Sequence, residues 1–417
     1  MKLDISGLKN ERVLMEAPET HKDSKAELLK RFEETVLNEK SQTSSYRNLS
    51  KLKLDQEKSL QLAEKFRSRF KRLFLLGTGG SSLGAKALYT ALKNHCDREL
   101  ICIENLDVSD LPQKFTTADF KESAVVAISK SGNTLETLLA LAYFEDQYKK
   151  NSLSLSDHFA IITDAGSNSA ITQWSSQNKV EQLFMDPLLG GRWSVTSSVG
   201  AFPLAFAGVN FRQFFSGIES VYQKGPNNEA VEFALRLCDL DQAQYQLHSL
   251  WTYSSKLREI GAWWRQLWSE SLGKVSHGIT KGSFALPCVG SIDQHSVLQQ
   301  LYEGHSGSYT GFIFVQENEA DLTIQNLSPA IAQKFAFCQG KTWTEINRTQ
   351  GLATLQSLSE QGRPSYTLTL ESIDEKSLGS LFAFWMDIVA LTGCGLKINP
   401  FDQPGVERAK KIFNTLF

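Results

Sequence analysis

Two stretches of the chain place glycines or hydroxyls just before a helical pattern, an arrangement that offers backbone N–H groups to an anion. The first is Gly77-Thr78-Gly79-Gly80-Ser81-Ser82-Leu83-Gly84, fed by the apolar run RLFLL and followed by AKALYTAL. It is no Walker A loop, since no lysine follows Ser82, and Ser82 stands where the dinucleotide fingerprint needs its third glycine. The plain alternative is a tight turn for close packing. The second stretch is Ser129-Lys130-Ser131-Gly132-Asn133-Thr134-Leu135-Glu136-Thr137, with Asn133 and Glu136 at N-cap and N3 spacing. Here the plain alternative is helix capping. Two parallel strands with hydroxyl-rich turns at their C-terminal ends can converge on the ligand crevice of an α/β sheet. A phosphate on a sugar fits best, because donors are plentiful and no nucleobase pocket is implied.

Four charged or proton-transferring residues stand out beyond these loops. Arg192, in GGRWSVTSSVG, follows two glycines that allow close approach to a ligand, and it stays charged; an interdomain ion pair is its alternative. Glu270, in WSESLGK, is placed as a general base beside a tryptophan-rich helix end, or as surface decoration on a turn closed by Gly273. His295, in GSIDQHSVLQQ, begins a helix just past the strand SFALPCVG. Lys410 sits beside Lys411 on the last helix, where a charged face is the ordinary reading.

The elements that must position these residues follow from periodicity. Residues 1–66 are charged and mostly helical in pattern, with Leu28, Leu29, Phe32 and Val36 at helical spacing, and Leu62, Phe66 and Phe70 further on. From residue 72 strands alternate with helices: RLFLL, ELICIEN, SAVVAIS (123–129) and HFAIITD (158–164), with TLETLLALAYFEDQYKK and NSAITQWSSQ as helices. Such alternation predicts βαβ units and a parallel sheet covered on both faces, over about 70–205. Residues 212–272 read as several helices. Strands return as SFALPCVG, YTGFIFVQ and SYTLTLES (365–372). The pattern is that of two doubly wound domains, without a tandem repeat.

Bulk properties narrow the function. A chain of 417 residues makes two to three domains. With 44 Lys and Arg against 46 Asp and Glu, the net charge of -2 supplies no global field for nucleic acid or an anionic membrane. The six cysteines form no C-x2-C pair, which argues against a zinc site or a disulfide framework and for reduced thiols. The first residues carry no signal-peptide pattern, and the apolar run Leu381–Thr392 is interrupted by Asp387, so it reads as a buried helix. Cytoplasm is the expected location.

Taken in order, the motifs resemble those of the glucose-6-phosphate isomerase (phosphoglucose isomerase) family in its compact bacterial form. The loop at 77–84 resembles the family's G-I-G-G-S-x-L-G signature, and 129–137 its phosphate loop. Gly190-Gly191-Arg192-Trp193-Ser194, Glu270-Ser271-Leu272-Gly273-Lys274 and Asp293-Gln294-His295 resemble three further elements. Phe401, Asp402, Gln403, Gly405, Val406, Glu407 and Lys410 meet the C-terminal signature. Departures are Ser131, Gly132 and Asn133 in the phosphate loop, Trp193 for an aromatic of another type, and Pro404 for a frequent tryptophan.

The resemblance implies two sugar-isomerase (SIS)-type α-β-α sandwich domains with parallel-rich sheets and flanking helices. They would lie at 67–210 and 211–400, with an N-terminal helical region at 1–66 and a C-terminal helix at 401–417 completing the active site. It implies interconversion of glucose 6-phosphate and fructose 6-phosphate through a cis-enediol. Glu270 would carry the proton, Arg192 would stabilise the enediolate, and His295 and Lys410 would assist ring opening. Gly80, Ser81, Ser129, Lys130, Ser131, Thr134 and Gln403 would bind the substrate. No cofactor or metal is implied. The expected assembly is a homodimer with His295 contributed across the interface. The alternatives are an isomerase of a related hexose or amino-sugar phosphate, and a non-catalytic sugar-phosphate-binding protein of the same fold.

Overall fold

Runs such as SAVVAI, apolar without alternation, suit strands covered on both faces, and the computed structural model of the chain places them so. It describes residues 1–8, 24–37, 45–164, 166, 168–304, 306–317 and 320–416, without the side chains of residues 407, 410, 411 and 414. The strands are β1 (Lys2–Asp4), β2 (Arg72–Leu76), β3 (Glu99–Ile103), β4 (Ser123–Ile128), β5 (Phe159–Asp164), β6 (Glu181–Met185), β7 (Leu247–Thr252), β8 (Lys274–Ser276), β9 (Ile279–Lys281), β10 (Phe284–Val289), β11 (Ser308–Val315) and β12 (Ser365–Leu370).

Five strands form a wholly parallel sheet in the order β3-β2-β4-β5-β6. All six residues of β4 are buried. A second sheet runs β1-β12-β11-β7-β10, parallel except for β1, which is antiparallel on β12. β8 and β9 make a separate hairpin. Apart from the edge strand β1, each large sheet starts on an inner strand, β2 or β7. The chain steps from β2 to β3 on one side and then to β4 on the other, and β7, β10 and β11 repeat the move. In folds of this kind, the C-terminal strand ends at such a reversal are where a ligand crevice forms. This is the two-sheet, helix-flanked α/β fold that the resemblance implied.

Three local expectations are corrected. Residues 212–272 are not helical throughout: between the helices Asn228–Gln242 and Arg258–Leu272 lies β7, on which the second sheet turns. Its polar residues hid it. Buried His248 bonds the Tyr366 hydroxyl at 2.8 Å, and Ser249 bonds Thr310 at 2.9 Å. Burial holds the His248 imidazole well below its ordinary pKa, so it is neutral there. In 1–66, β1 is a strand, while Lys25–Phe32 and Leu49–Arg67 are helices; positions 9–23 and 38–44 lie outside the described residues. Phe70 falls beyond its helix, which ends at Arg67, but is still buried. The helix Glu375–Gly395 is buried at every position from Leu381 on, the core helix its apolar run suggested.

Candidate active site

Arg192 lies on a short 3-10 turn, Gly191–Thr196, and its side chain is almost wholly buried. A buried guanidinium needs partners for all five N–H groups, and it has them. Nε donates to Ser271 Oγ at 2.7 Å. Nη1 donates to Glu270 Oε2 at 3.2 Å and Gln403 Oε1 at 2.5 Å. Nη2 donates to the carbonyls of Pro400 at 2.7 Å and Asp402 at 2.9 Å. Burial lowers the guanidinium pKa from its ordinary value, and the Glu270 carboxylate opposes that shift. Gln403 gives its oxygen to Arg192, which leaves its NH2 group as donor.

Glu270 stands in the last turn of the helix Arg258–Leu272, which Gly273 closes. Its Oε1 accepts from Gln266 Nε2 at 3.0 Å. Gln266 was not singled out from sequence. It lies one helical turn before Glu270, so i,i+4 spacing was the available signal. Its amide also meets the glycine-rich loop, 2.8 Å from where a Cβ on Gly79 would stand, and Gly79 has φ +58. Lys274, noted only as part of a motif, donates to the carbonyls of Glu270 at 2.8 Å and Asp402 at 2.5 Å, tying the helix end to the 400–403 segment.

The glycine-rich loop meets the arginine turn backbone to backbone at Gly80. A Cβ on Gly80 would lie 2.1 Å from the Gly191 carbonyl carbon. The Ser194 hydroxyl donates to the Gly191 carbonyl at 2.7 Å and the Gly80 carbonyl at 3.3 Å. Gly77 packs against Ser81 and the carbonyl of Ile128, at the end of β4, which brings this loop beside the second one. In that second loop the hydroxyls of Ser129 and Thr134 lie 2.8 Å apart. Ser131 Oγ accepts the Asn133 N–H at 3.3 Å. The Lys130 carbonyl accepts from Asp164 N at 3.2 Å, and burial lowers the pKa of its ammonium group. Asn133 does not cap the following helix. Thr134 is the N-cap, and Asn133 Oδ1 instead accepts the Ala170 N–H at 3.0 Å, joining two strand-end loops.

A cavity of about 820 Å³ opens beside Glu270, with Lys274, Asn399 and Gln403 in its walls. Its lining does not include Arg192, His295 or the residues of either loop. His295 is elsewhere: it ends the 3-10 turn Ile292–His295 after β10, and it is exposed. Asp293 beside it accepts from Val289 N at 2.7 Å and from the Ser296 hydroxyl at 2.7 Å rather than from the imidazole. Lys410 belongs to the helix Glu407–Leu416, but its side chain lies outside the described residues. The structure thus gathers Arg192, Glu270, Gln403 and Gly80, sets the hydroxyl loop alongside at the same sheet edge, and leaves His295 apart.

Two doubly wound sheets, a glycine-rich turn where the strand order reverses and a carboxylate–guanidinium pair beside it make up the site. The family model described as phosphoglucose isomerase matches residues 57–416, and the chain belongs to that family. It is 30% identical over 388 residues to a probable glucose-6-phosphate isomerase of Methanococcus maripaludis, covering 90% of this chain and 85% of that one. It is 29% identical to a glucose-6-phosphate isomerase of Thermus thermophilus, covering 81% of each. Among solved structures, a hypothetical protein of Thermus thermophilus superposes with a TM-score of 0.86 at 26% identity, covering 99% of both chains. A glucose-6-phosphate isomerase of Chlamydia trachomatis gives 0.76 at 25% identity, covering 87% of this chain and 73% of that one.

Proposed function

We propose that this chain interconverts glucose 6-phosphate and fructose 6-phosphate, with Glu270 as the base that moves the proton between C2 and C1. The observation that carries the assignment of roles is the guanidinium of Arg192 held between Glu270 and Gln403. In the open-chain aldose, the Glu270 carboxylate takes the C2 proton and its negative charge passes to the enediolate oxygens. A proton moves between O1 and O2, and Glu270 returns the first proton to C1. Arg192 faces the carboxylate before transfer and the oxyanion after it, so the cation keeps a counter-charge throughout. The amide of Gln403 and the backbone at Gly80 orient the sugar. Ser81, Ser129, Ser131 and Thr134, with the Lys130 backbone, hold the phosphate through neutral donors.

His295 and Lys410 are assigned to ring opening, which needs a proton taken from O1 and one given to O5. Exposed and without a bond to Glu270, His295 suits a neighbouring subunit's site. The edge strand β10 and the turn after it show bare apolar residues, Phe284 at 80% exposure and Ile292 at 55%. Both features support a homodimer. The absence of a disulfide among the six cysteines suits the cytoplasm.

The test is Glu270→Gln, which keeps size but cannot accept a proton. With fructose 6-phosphate in a coupled assay, turnover should fall by about 100-fold or more, with the affinity for a competitive hexitol 6-phosphate near normal. Exchange of C2 deuterium with solvent should stop. Normal exchange would assign the abstraction to another group.

A further inference from the structure

Asp387 is a buried carboxylate in the middle of the helix Glu375–Gly395, among Phe384, Trp385, Met386, Ile388 and Val389. Burial pushes its carboxyl up to about 6 against the pull of Arg47. Ion pairs in such places are weak sources of stability, and apolar replacements often serve as well; fixing a particular arrangement is their better-attested use. The partners of Asp387 show which arrangement is fixed. Arg47 Nη1 donates to Oδ2 at 2.6 Å, and the Tyr46 hydroxyl donates to Oδ1 at 3.0 Å. Arg47 Nη2 donates to the Tyr222 carbonyl at 2.7 Å, and its guanidinium lies over the Tyr222 ring at 4.5 Å.

Anchored there, the Tyr46 ring lies 4.8 Å from that of Trp193 and 6.0 Å from that of Phe401, while Trp193 and Phe401 are 5.2 Å apart. Trp193 follows Arg192 in the chain. Phe401 lies between Pro400 and Asp402, whose carbonyls hold Arg192 Nη2. The segment 397–403 has no helix or strand of its own, so its place depends on such packing. We propose that Asp387, Arg47 and Tyr46 are positioning residues for Arg192, holding an aromatic wedge against the two backbone segments that grip its guanidinium. None of the three touches the reacting atoms. The proposal rests on the reading of Arg192 as the group that stabilises the enediolate.

Fold damage and mispositioning are separated by two inhibitors. A hexitol 6-phosphate reports phosphate and hydroxyl binding. A five-carbon phosphorylated hydroxamate, planar and anionic, mimics the enediolate, so the ratio of the two affinities reads charge stabilisation at Arg192. The ratio and kcat are measured for Tyr46→Leu, Phe401→Leu, Tyr46→Phe and Arg192→Lys. Tyr46→Leu and Phe401→Leu should each lower both by about tenfold, the scale of a small misplacement of a reacting group, with hexitol phosphate affinity nearly unchanged. Tyr46→Phe keeps the ring but loses the hydroxyl bond to Asp387, and should lower the ratio by a smaller factor, about threefold; a wild-type ratio in that variant overturns the roles of Asp387 and Arg47. A wild-type ratio in folded Tyr46→Leu overturns the proposal. If that variant does not fold, Phe401→Leu decides in the same way. An unchanged ratio in Arg192→Lys overturns the underlying reading as well, whereas loss in Arg192→Lys alone overturns only the positioning.

Discussion

Gly80 and Gly191 meet at one backbone contact, yet the geometry there is not symmetric. A Cβ added at Gly80 would stand 2.1 Å from the Gly191 carbonyl carbon, 2.3 Å from its oxygen and 2.5 Å from Arg192 N. All three atoms are backbone, so no flexible side chain can yield, and the two segments must separate by roughly 1.3 Å to reach ordinary contact. Overpacking of this kind costs about 1–3 kcal/mol. Because the displaced residue is Arg192, Gly80→Ala should also lower kcat by about 100-fold, the effect expected of a misplacement near 1 Å. A Cβ at Gly191 meets only Gly80 Cα, at 3.7 Å. Gly191→Ala should therefore leave kcat within about threefold and stability neutral or raised by up to ~1 kcal/mol, through a less flexible unfolded chain. Steady-state kinetics and thermal unfolding of the two variants, side by side, check this. Wild-type behaviour in Gly80→Ala, or equal damage in Gly191→Ala, would refute the claim that the glycine-rich loop and the arginine turn are held by backbone contact.

Ser129→Ala removes the hydroxyl paired with Thr134 and should raise KM for fructose 6-phosphate by about 3- to 10-fold, matching a hydrogen bond of roughly 0.5–1.5 kcal/mol; an unchanged KM would count against the phosphate assignment. Asp55 has its carboxyl pushed up to about 6 by burial and then by Asp186. Its contribution to stability is present below about pH 4, the unfolded pKa, and is lost as pH rises through 6. Asp55→Asn should thus stabilise at pH 7.5 by about 1 kcal/mol, after discounting for its half-exposed setting, and give no gain at pH 4; urea unfolding at the two pH values decides. For the dimer, a Glu270→Gln chain and a His295→Ala chain should each be nearly inactive, while their purified heterodimer should regain about half the wild-type activity in one repaired site of the two-fold pair. No recovery in a verified heterodimer would exclude a histidine acting across the interface.

Sequence reading found strands by their apolar runs, some of them ending in glycine or hydroxyl turns, such as Leu73–Leu76 before Gly77 and Ala124–Ile128 before Ser129, and others, such as Glu99–Ile103, without one. β7 escaped because His248 and Ser249 find partners sideways, on Tyr366 and Thr310, which no local pattern reveals. β1 escaped because three residues pair with a strand far along the chain. At the site, Arg192 and Glu270 were marked by residue type and by neighbouring glycines. Gln266 and Lys274 were not, since their work is to hold Glu270 and Asp402, and that is visible only once the helix end meets the 400–403 segment. Asn133 had the spacing of a cap, but tertiary pairing with Ala170 took its side chain.

The pairing of Lys2 with Thr369, and of Asp4 with Thr367, has a consequence for synthesis on the ribosome. The five strands from Arg72 to Met185 can assemble while later residues are still being translated. β1 cannot join its sheet until β12 has emerged, a wait of about 20–70 s at ordinary elongation rates. Lys2 and Asp4 keep the waiting segment charged and poorly suited to stray pairing. Once seated, it covers the outer edge of β12. A chain lacking residues 1–8 should therefore complete its first sheet normally but expose Ser365–Leu370 as a bare edge, and its failure should take the form of slow self-association during expression rather than an immediate loss of the site.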